Sequence, residues 1–248
     1  GRIAAGNGKQ VIIQGLREAE HGMIYDEWGS KEHEILTGTV HRIDPRGTVH
    51  LRIGSGNEAT EGLMGSNEQV PGEELTEGQL VKVYLVEVRR TTRGPQVMVS
   101  RTHPGLVKRL FELEVPEIYD GTVEIRSIAR EAGSRTKMAV WSNDENVDPI
   151  GACVGPKGQR VAAIVDELRG EKIDIIKWSE DPAQFIAAAL APSDVVDVMM
   201  AEEGKACRVI VPDDQLSLAI GKEGQNARLA ARLVGYKIDI KPESYQEE

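Results

Sequence analysis

Aromatic side chains are scarce in this sequence: phenylalanine, tryptophan and tyrosine together make up 4% of 248 residues. A core built from rings is excluded, so buried faces must be mainly aliphatic. Cysteine is nearly absent. Cys153 and Cys207 lie far apart, with no CxxC and no histidine at ligand spacing, which argues for packed, reduced thiols rather than a disulfide framework or metal site. No apolar run approaches the roughly 20 residues of a membrane helix. The richest, from Phe185 to Leu190, is broken by Pro192 and Asp194. The start, GRIAAGNGKQ, has neither an apolar signal segment nor an initiator Met, so the expectation is a cytoplasmic piece of a longer chain with no membrane partner. Positive charge is in deficit, with a formal net charge of -10, which argues against coating duplex DNA by bulk charge. Local RNA binding through backbone amides and a few lysines stays open. Catalytic signatures are missing as well. The nearest approach to a Walker loop, Gly6-Asn7-Gly8-Lys9-Gln10, lacks the hydroxyl and the earlier glycine, and no GxSxG, HExxH or paired zinc-ligand motif occurs. The acidic residues read as solvated surface charge. No enzyme activity, metal or cofactor is expected.

What the chain does contain is a repeat. GPKGQRVAAIVDELRGEKIDII begins at Gly155 and GKEGQNARLAARLVGYKIDIK at Gly221. Both open with G-x-x-G-Q. Val161, Ile164, Val165 and Leu168 recur in register as Ala227, Ala230, Ala231 and Val234, each set at the i, i+3, i+4, i+7 spacing of one buried helix face. Gly170 and Gly235 follow as stop signals, and both copies then read KIDI as an alternating strand. Upstream of each loop a short helix is expected, started by Asp148-Pro149 and by Pro212-Asp213. Before those come hairpin pairs, 122–128 with 137–141 and 195–200 with 207–211, and amphipathic helices over 104–113 and 182–190. Each unit reads helix, strand, strand, helix, glycine loop, helix, strand.

Residues 34–101 read differently. ILTGTVHRI, TVHLRI, TEGLM, QLVKVYLVEV and QVMVS are separated by Gly, Pro, Asn and Asp turns, which suggests five strands closed into an OB-fold barrel. His41 and His50 are candidates to stack on bases if they face outward, against the alternative of exposed strand histidines. Residues 1–33 are expected to form the helical end of a preceding domain or connector, with Ile12, Leu16 and Ala19 as an apolar stripe. Glycines at 1, 8, 15, 22 and 29 have no ready explanation, because each costs a helix about 1 kcal/mol relative to alanine. The division is therefore 1–33, a barrel at 34–101, and repeat units at 102–179 and 180–248.

The chemistry lies in the glycine loops. Gly155-Pro156-Lys157-Gly158 and Gly221-Lys222-Glu223-Gly224 each join two helices. The second helix aims its unpaired N–H groups and positive dipole end at the loop. Glycines let a phosphodiester approach the backbone, and Lys157 and Lys222 supply one cation each. One such loop is weak evidence, since glycines often only make turns. Two, each followed by glutamine (Gln159, Gln225) inside the same repeat, are strong. Glu223 is a blemish, an acid beside the phosphate path. Arg160 and Asn226 are further candidates for RNA contact, against the alternative of solvated surface residues.

These loops resemble those of KH domains, and strands ahead of the loop resemble the prokaryotic (type II) arrangement. The β-rich segment resembles the S-one-type OB-fold. With SRTHPGLVKRLFELEVPEIYDGTVEI bridging barrel and first repeat, the order of modules resembles the NusA family of bacterial transcription elongation and termination factors. The resemblance implies an α+β multidomain chain, a five-stranded OB-fold barrel followed by two type II KH domains. It implies binding of single-stranded RNA on nascent transcript, in termination and antitermination, alongside RNA polymerase, other Nus factors and a ribosomal protein. The family's N-terminal polymerase-binding domain is not in this sequence, so polymerase contact is expected mainly through that missing domain. An alternative is the RNA-binding part of an exoribonuclease such as polynucleotide phosphorylase, but there a single KH domain precedes the barrel. Another is a KH-based protein-interaction scaffold, which the acidic balance and Glu223 keep open.

Overall fold

Two periodicities build the chain: apolar residues at every second position in its first part, and helical spacing around the glycine loops in its second. The computed structural model describes residues 28–56 and 59–246. The apolar stripe of Ile12, Leu16 and Ala19 and the glycines at 1, 8, 15 and 22 lie outside the described residues. The chain divides into two compact units, one reaching Leu106 and the other starting at Val107. No helix among the described residues is long and apolar enough to cross a membrane.

In the first unit β1 (Ile35–Ile43), β2 (Val49–Ile53), β3 (Thr60–Met64), β4 (Leu80–Thr91) and β5 (Gly94–Ser100) form a closed barrel in the order β1-β2-β3-β5-β4. The five expected strands are all present. Closure comes from a short parallel pairing, Gly62 with Val97 and Leu63 with Met98. Val49, Leu51 and Ile53 alternate inward to meet Val83, Leu85, Val97 and Val99, an aliphatic core of the kind the scarcity of rings demands. His50 departs from the expected exposed strand histidine. It is 8% exposed, with Nε2 2.9 Å from Asp44 Oδ2 and Nδ1 bonded to Glu61 Oε1. Buried in this way, with both ring nitrogens occupied, it offers no exposed ring face for a base. His41 is exposed.

In the second unit the two repeats form two three-stranded sheets. The first contains β6 (Val123–Glu131), β7 (Arg135–Ser142) and β8 (Lys172–Lys177), in that order, preceded by helices α1 (Pro104–Glu114) and α2 (Pro116–Tyr119). The second contains β9 (Asp197–Met200), β10 (Ala206–Val211) and β11 (Lys237–Pro242), preceded by α5 (Pro182–Ala189). Each KIDI segment becomes an edge strand, parallel to the central one: Arg135 pairs with Lys172, and Ala206 with Lys237. The aspartate of each KIDI takes a cation from its central strand, Arg135 and Lys137 on Asp174, and Arg208 on Asp239. The first hairpin is longer than its apolar runs, because Arg130 and Glu171 are buried as an ion pair at 2.9 Å and polar residues continue the ladder. Apolar periodicity carries no trace of a polar pair that is buried because it is satisfied.

Between β7 and β8 lie α3 (Pro149–Val154) and α4 (Gln159–Glu167). Between β10 and β11 lie α6 (Leu216–Ile220) and α7 (Gln225–Val234). Asp148 caps α3 as expected, accepting from the Ile150 N–H at 3.1 Å. Asp213 does not cap in the second copy. Asp213–Gln215 forms one 3-10 turn, and the carboxylate accepts from the Ser244 N–H at 3.0 Å. The most buried face of α7 is Asn226, Leu229, Ala230 and Leu233, one residue earlier than the repeat suggests. The shift arises because α7 has two neighbours. Asn226 reaches the Leu190 carbonyl at the end of α5, and the Leu233 carbonyl accepts from Ser127 Oγ of β6 at 2.7 Å. Ala129, Ala139 and Ile176 of the first repeat share one continuous core with Phe185, Ile186, Leu190, Val209 and Leu229 of the second.

Candidate nucleic-acid interface

The glycine loops occur where a helix must stop and another must start within four residues. The first glycine carries the reversal: Gly155 has φ 77° and ψ 171°, Gly221 φ 81° and ψ 169°, a region essentially closed to residues with a Cβ. Space closes it further. A Cβ on Gly155 would lie 2.5 Å from Arg160 Cγ, and one on Gly221 only 2.7 Å from the Asn226 backbone nitrogen. The third loop residue is left-handed in both copies, Lys157 and Glu223 each at φ 55° and ψ 25°. The second glycine is left-handed too, Gly158 at φ 72° and Gly224 at φ 75°. The two loops share one backbone path despite differing at both x positions.

The surroundings of the second glycines are open. A Cβ on Gly158 would meet nothing within 4 Å, and one on Gly224 only Arg228 Nη1, at 3.9 Å. Gly158 and Gly224 are also the N-caps of α4 and α7, and no side chain caps either helix. Pro156, Lys157, Lys222 and Glu223 are exposed. Each loop therefore presents an approachable backbone, a helix N-terminus and a lysine on one surface, the requirements for holding a phosphate. Beside the second loop Leu218 and Ile220 are exposed at 45% and 38%.

The sequence matches known proteins over its whole length. The profile of the NusA-like first KH domain matches residues 101–178, and that of the NusA-like second KH domain residues 182–248. The transcription termination/antitermination protein NusA of Bacillus subtilis (strain 168) is 59% identical over 248 residues, all of this chain and 66% of that protein. The protein of the same name from Mycobacterium tuberculosis (strain ATCC 25618 / H37Rv) is 53% identical over 245 residues, covering 97% of this chain and 71% of the relative. The chain belongs to the NusA family. The NusA of Thermus thermophilus is 48% identical over 237 residues, 96% of this chain and 60% of that protein. The chain thus spans somewhat less than two thirds of several NusA proteins it matches.

Within this NusA-like pair of KH domains, two expected contact residues have other employment. Arg160 is half-buried, and its Nη1 donates to Glu117 Oε2 at 2.8 Å and to the Ala152 carbonyl at 2.7 Å, tying α2 to the end of α3. Asn226 is 1% exposed, and its amide donates to the Ala219 carbonyl at 2.9 Å and the Leu190 carbonyl at 3.1 Å. Its side chain is a buried brace behind the loop, not the solvated residue of the alternative. The glutamines differ as well. Gln159 is exposed, whereas Gln225 donates to Ser134 Oγ at 2.7 Å in the β6–β7 hairpin of the first KH domain.

Arg228 escaped the sequence reading. It is exposed, lies beside Gly224 and forms a two-pronged ion pair with Glu131 of β6, both bonds at 2.8 Å. The pairing holds the Glu131 carboxyl below the usual range and raises the guanidinium further. The signal was a break in the repeat, since Ala162 stands at the matching place in the first copy. Cys153 and Cys207 are buried free thiols, and burial pushes Cys153 up to about 12. A thiol so raised stays protonated and unreactive at neutral pH.

Proposed function

We propose that this chain is the single-stranded RNA-binding region of a transcription elongation, termination and antitermination factor, acting on nascent transcript at RNA polymerase. The observation that carries the reading is the duplicated loop. Two copies adopt the same Gly-only and left-handed backbone at the open N-termini of α4 and α7, within one shared core. In this reading Gly155 to Gln159 and Gly221 to Gln225 hold phosphates, Lys157 and Lys222 add charge, and bases lie across α3, α6 and the edge strands β8 and β11. Each loop takes about four nucleotides, and fixed spacing between two weak sites raises the overall affinity. The barrel over 34–101, with KH domains over 102–179 and 180–248, is the proposed division of labour. RNA polymerase, other Nus factors and a ribosomal protein are the proposed partners, in the cytoplasm. Relatives named for termination and antitermination, rather than for a catalysed reaction, support a non-enzymatic role.

The test is fluorescence-anisotropy titration of an A-rich single-stranded RNA at two salt concentrations. Pro156→Asp/Lys157→Asp and Lys222→Asp/Glu223→Asp are compared with wild type, and circular dichroism confirms folding. Either change is expected to weaken salt-sensitive binding sharply. Folded variants that both bind like wild type would make the loops mere turns.

A further inference from the structure

The second glycine loop poses a charge problem. Glu223 occupies the third position, where the first loop has Lys157, so Lys222 faces an acid of its own loop. A loop that holds phosphate with no other cation nearby would be nearly neutral. The structure places a cation there from outside the motif. Arg228 Nη1 lies 3.9 Å from where a Gly224 side chain would begin, and donates to the Glu223 carbonyl at 3.1 Å. Its other edge is held by the first KH domain, with Nε on Glu131 Oε2 and Nη2 on Glu131 Oε1. Glu131 Oε1 also accepts from Gln225 Nε2 at 3.4 Å, and that amide reaches Ser134 at 2.7 Å. The β6–β7 hairpin of one domain thus grips the residue after the glycine loop of the other, and the arginine beside it.

The geometry points to Arg228 as a phosphate-contacting residue of the second loop, and to Glu131 of the first KH domain as the positioning residue that aims it. A guanidinium carries five N–H groups in a planar fork. The bonds to Glu131 and Glu223 engage three of them, leaving two for a phosphate arriving at Gly224. A two-pronged carboxylate grip fixes the plane of the fork where a lone exposed arginine would sample many rotamers. The consequence is specific to the tandem: the second domain's RNA site is complete only with the first domain packed against it. This inference rests on the RNA-binding reading above.

The experiment titrates the same single-stranded RNA into the full chain at several salt concentrations, with thermal melts of every variant. Arg228→Ala is expected to bind about tenfold more weakly, with a log–log salt slope shallower by about 0.7, the value for one lost phosphate. Glu131→Ala is expected to bind several-fold more weakly although it removes a negative charge; tighter binding would make Glu131 a charge brake and overturn its positioning role. The charge-swapped pair Glu131→Arg/Arg228→Glu is expected to recover melting temperature but not affinity. Recovery of affinity would make the pair purely structural and overturn the inference. So would wild-type binding by Arg228→Ala while the first-loop variant Pro156→Asp/Lys157→Asp is weakened. If both glycine-loop variants bind like wild type, the RNA reading itself fails and takes this inference with it.

Discussion

His50 is held between two carboxylates, so its charge state and the barrel's stability are linked. The bond to Asp44 first, then that to Glu61, raises the imidazole above its ordinary 6.5. A raised folded-state value means the protonated ring is favoured by folding. The contribution is fully present below about 6.5 and is lost as pH rises through the higher folded value. Barrel stability is therefore expected to fall over that window, and His50→Gln to flatten the dependence, as measured by thermal melts from pH 5 to 9. Lys137 is a second such residue. It is fully buried, and burial pushes its ammonium down, while Nζ donates to Asp174 Oδ2 at 2.9 Å and the Ala191 carbonyl at 2.8 Å. Lys137→Met keeps the stem but abandons the carbonyl; Arg135 still partners Asp174, so the expected loss is about 2 kcal/mol by urea denaturation.

The glycine loop is the element whose backbone rules differ within four residues. Its first glycine needs both a Gly-only conformation and empty space, its second only a left-handed φ. Alanine at Gly158 or Gly224 is expected to cost about 1 kcal/mol. Alanine at Gly155 or Gly221 is expected to cost about 3 kcal/mol, with Gly221→Ala the worse. The Gly155 neighbour is the Arg160 stem, which can yield only by disturbing its bonds to Glu117 and the Ala152 carbonyl, whereas the Gly221 neighbour is the backbone of α7, which cannot yield without moving the helix. Urea denaturation of the four variants checks the order, and equal losses at all four would remove the distinction between turn-making and ligand-facing glycines.

At the scale of the molecule the two KH domains are one body. Ala129, Ala139 and Ile176 pack in the same core as Leu229 and Leu233, and Ser127 and Lys137 bond across to backbone carbonyls of the second domain. Burial shared in this way makes separate unfolding costly for either partner. Leu233→Ala is expected to lower stability by about 3 kcal/mol. Native-state hydrogen exchange should show β7 and β10 amides losing protection together. Protection lost in β10 alone would mean that the two domains open independently.

The barrel, the repeat, the glycine loops and their order along the chain were legible in the residues. Periodicity and turn chemistry are local, and a unit written twice in full exposes the order of its elements. The employment of Arg160, Asn226 and Gln225 was not legible, because each depends on a partner distant in the chain, Glu117, Leu190 and Ser134, and that of His50 because periodicity does not register a carboxylate on a neighbouring strand. The sequence by itself determined which backbone is made available to a ligand, since φ and ψ preferences belong to single residues. Only the tertiary structure decided which side chains stand beside that backbone, because packing the two repeats together consumed some polar groups as braces and brought Glu131 to Arg228.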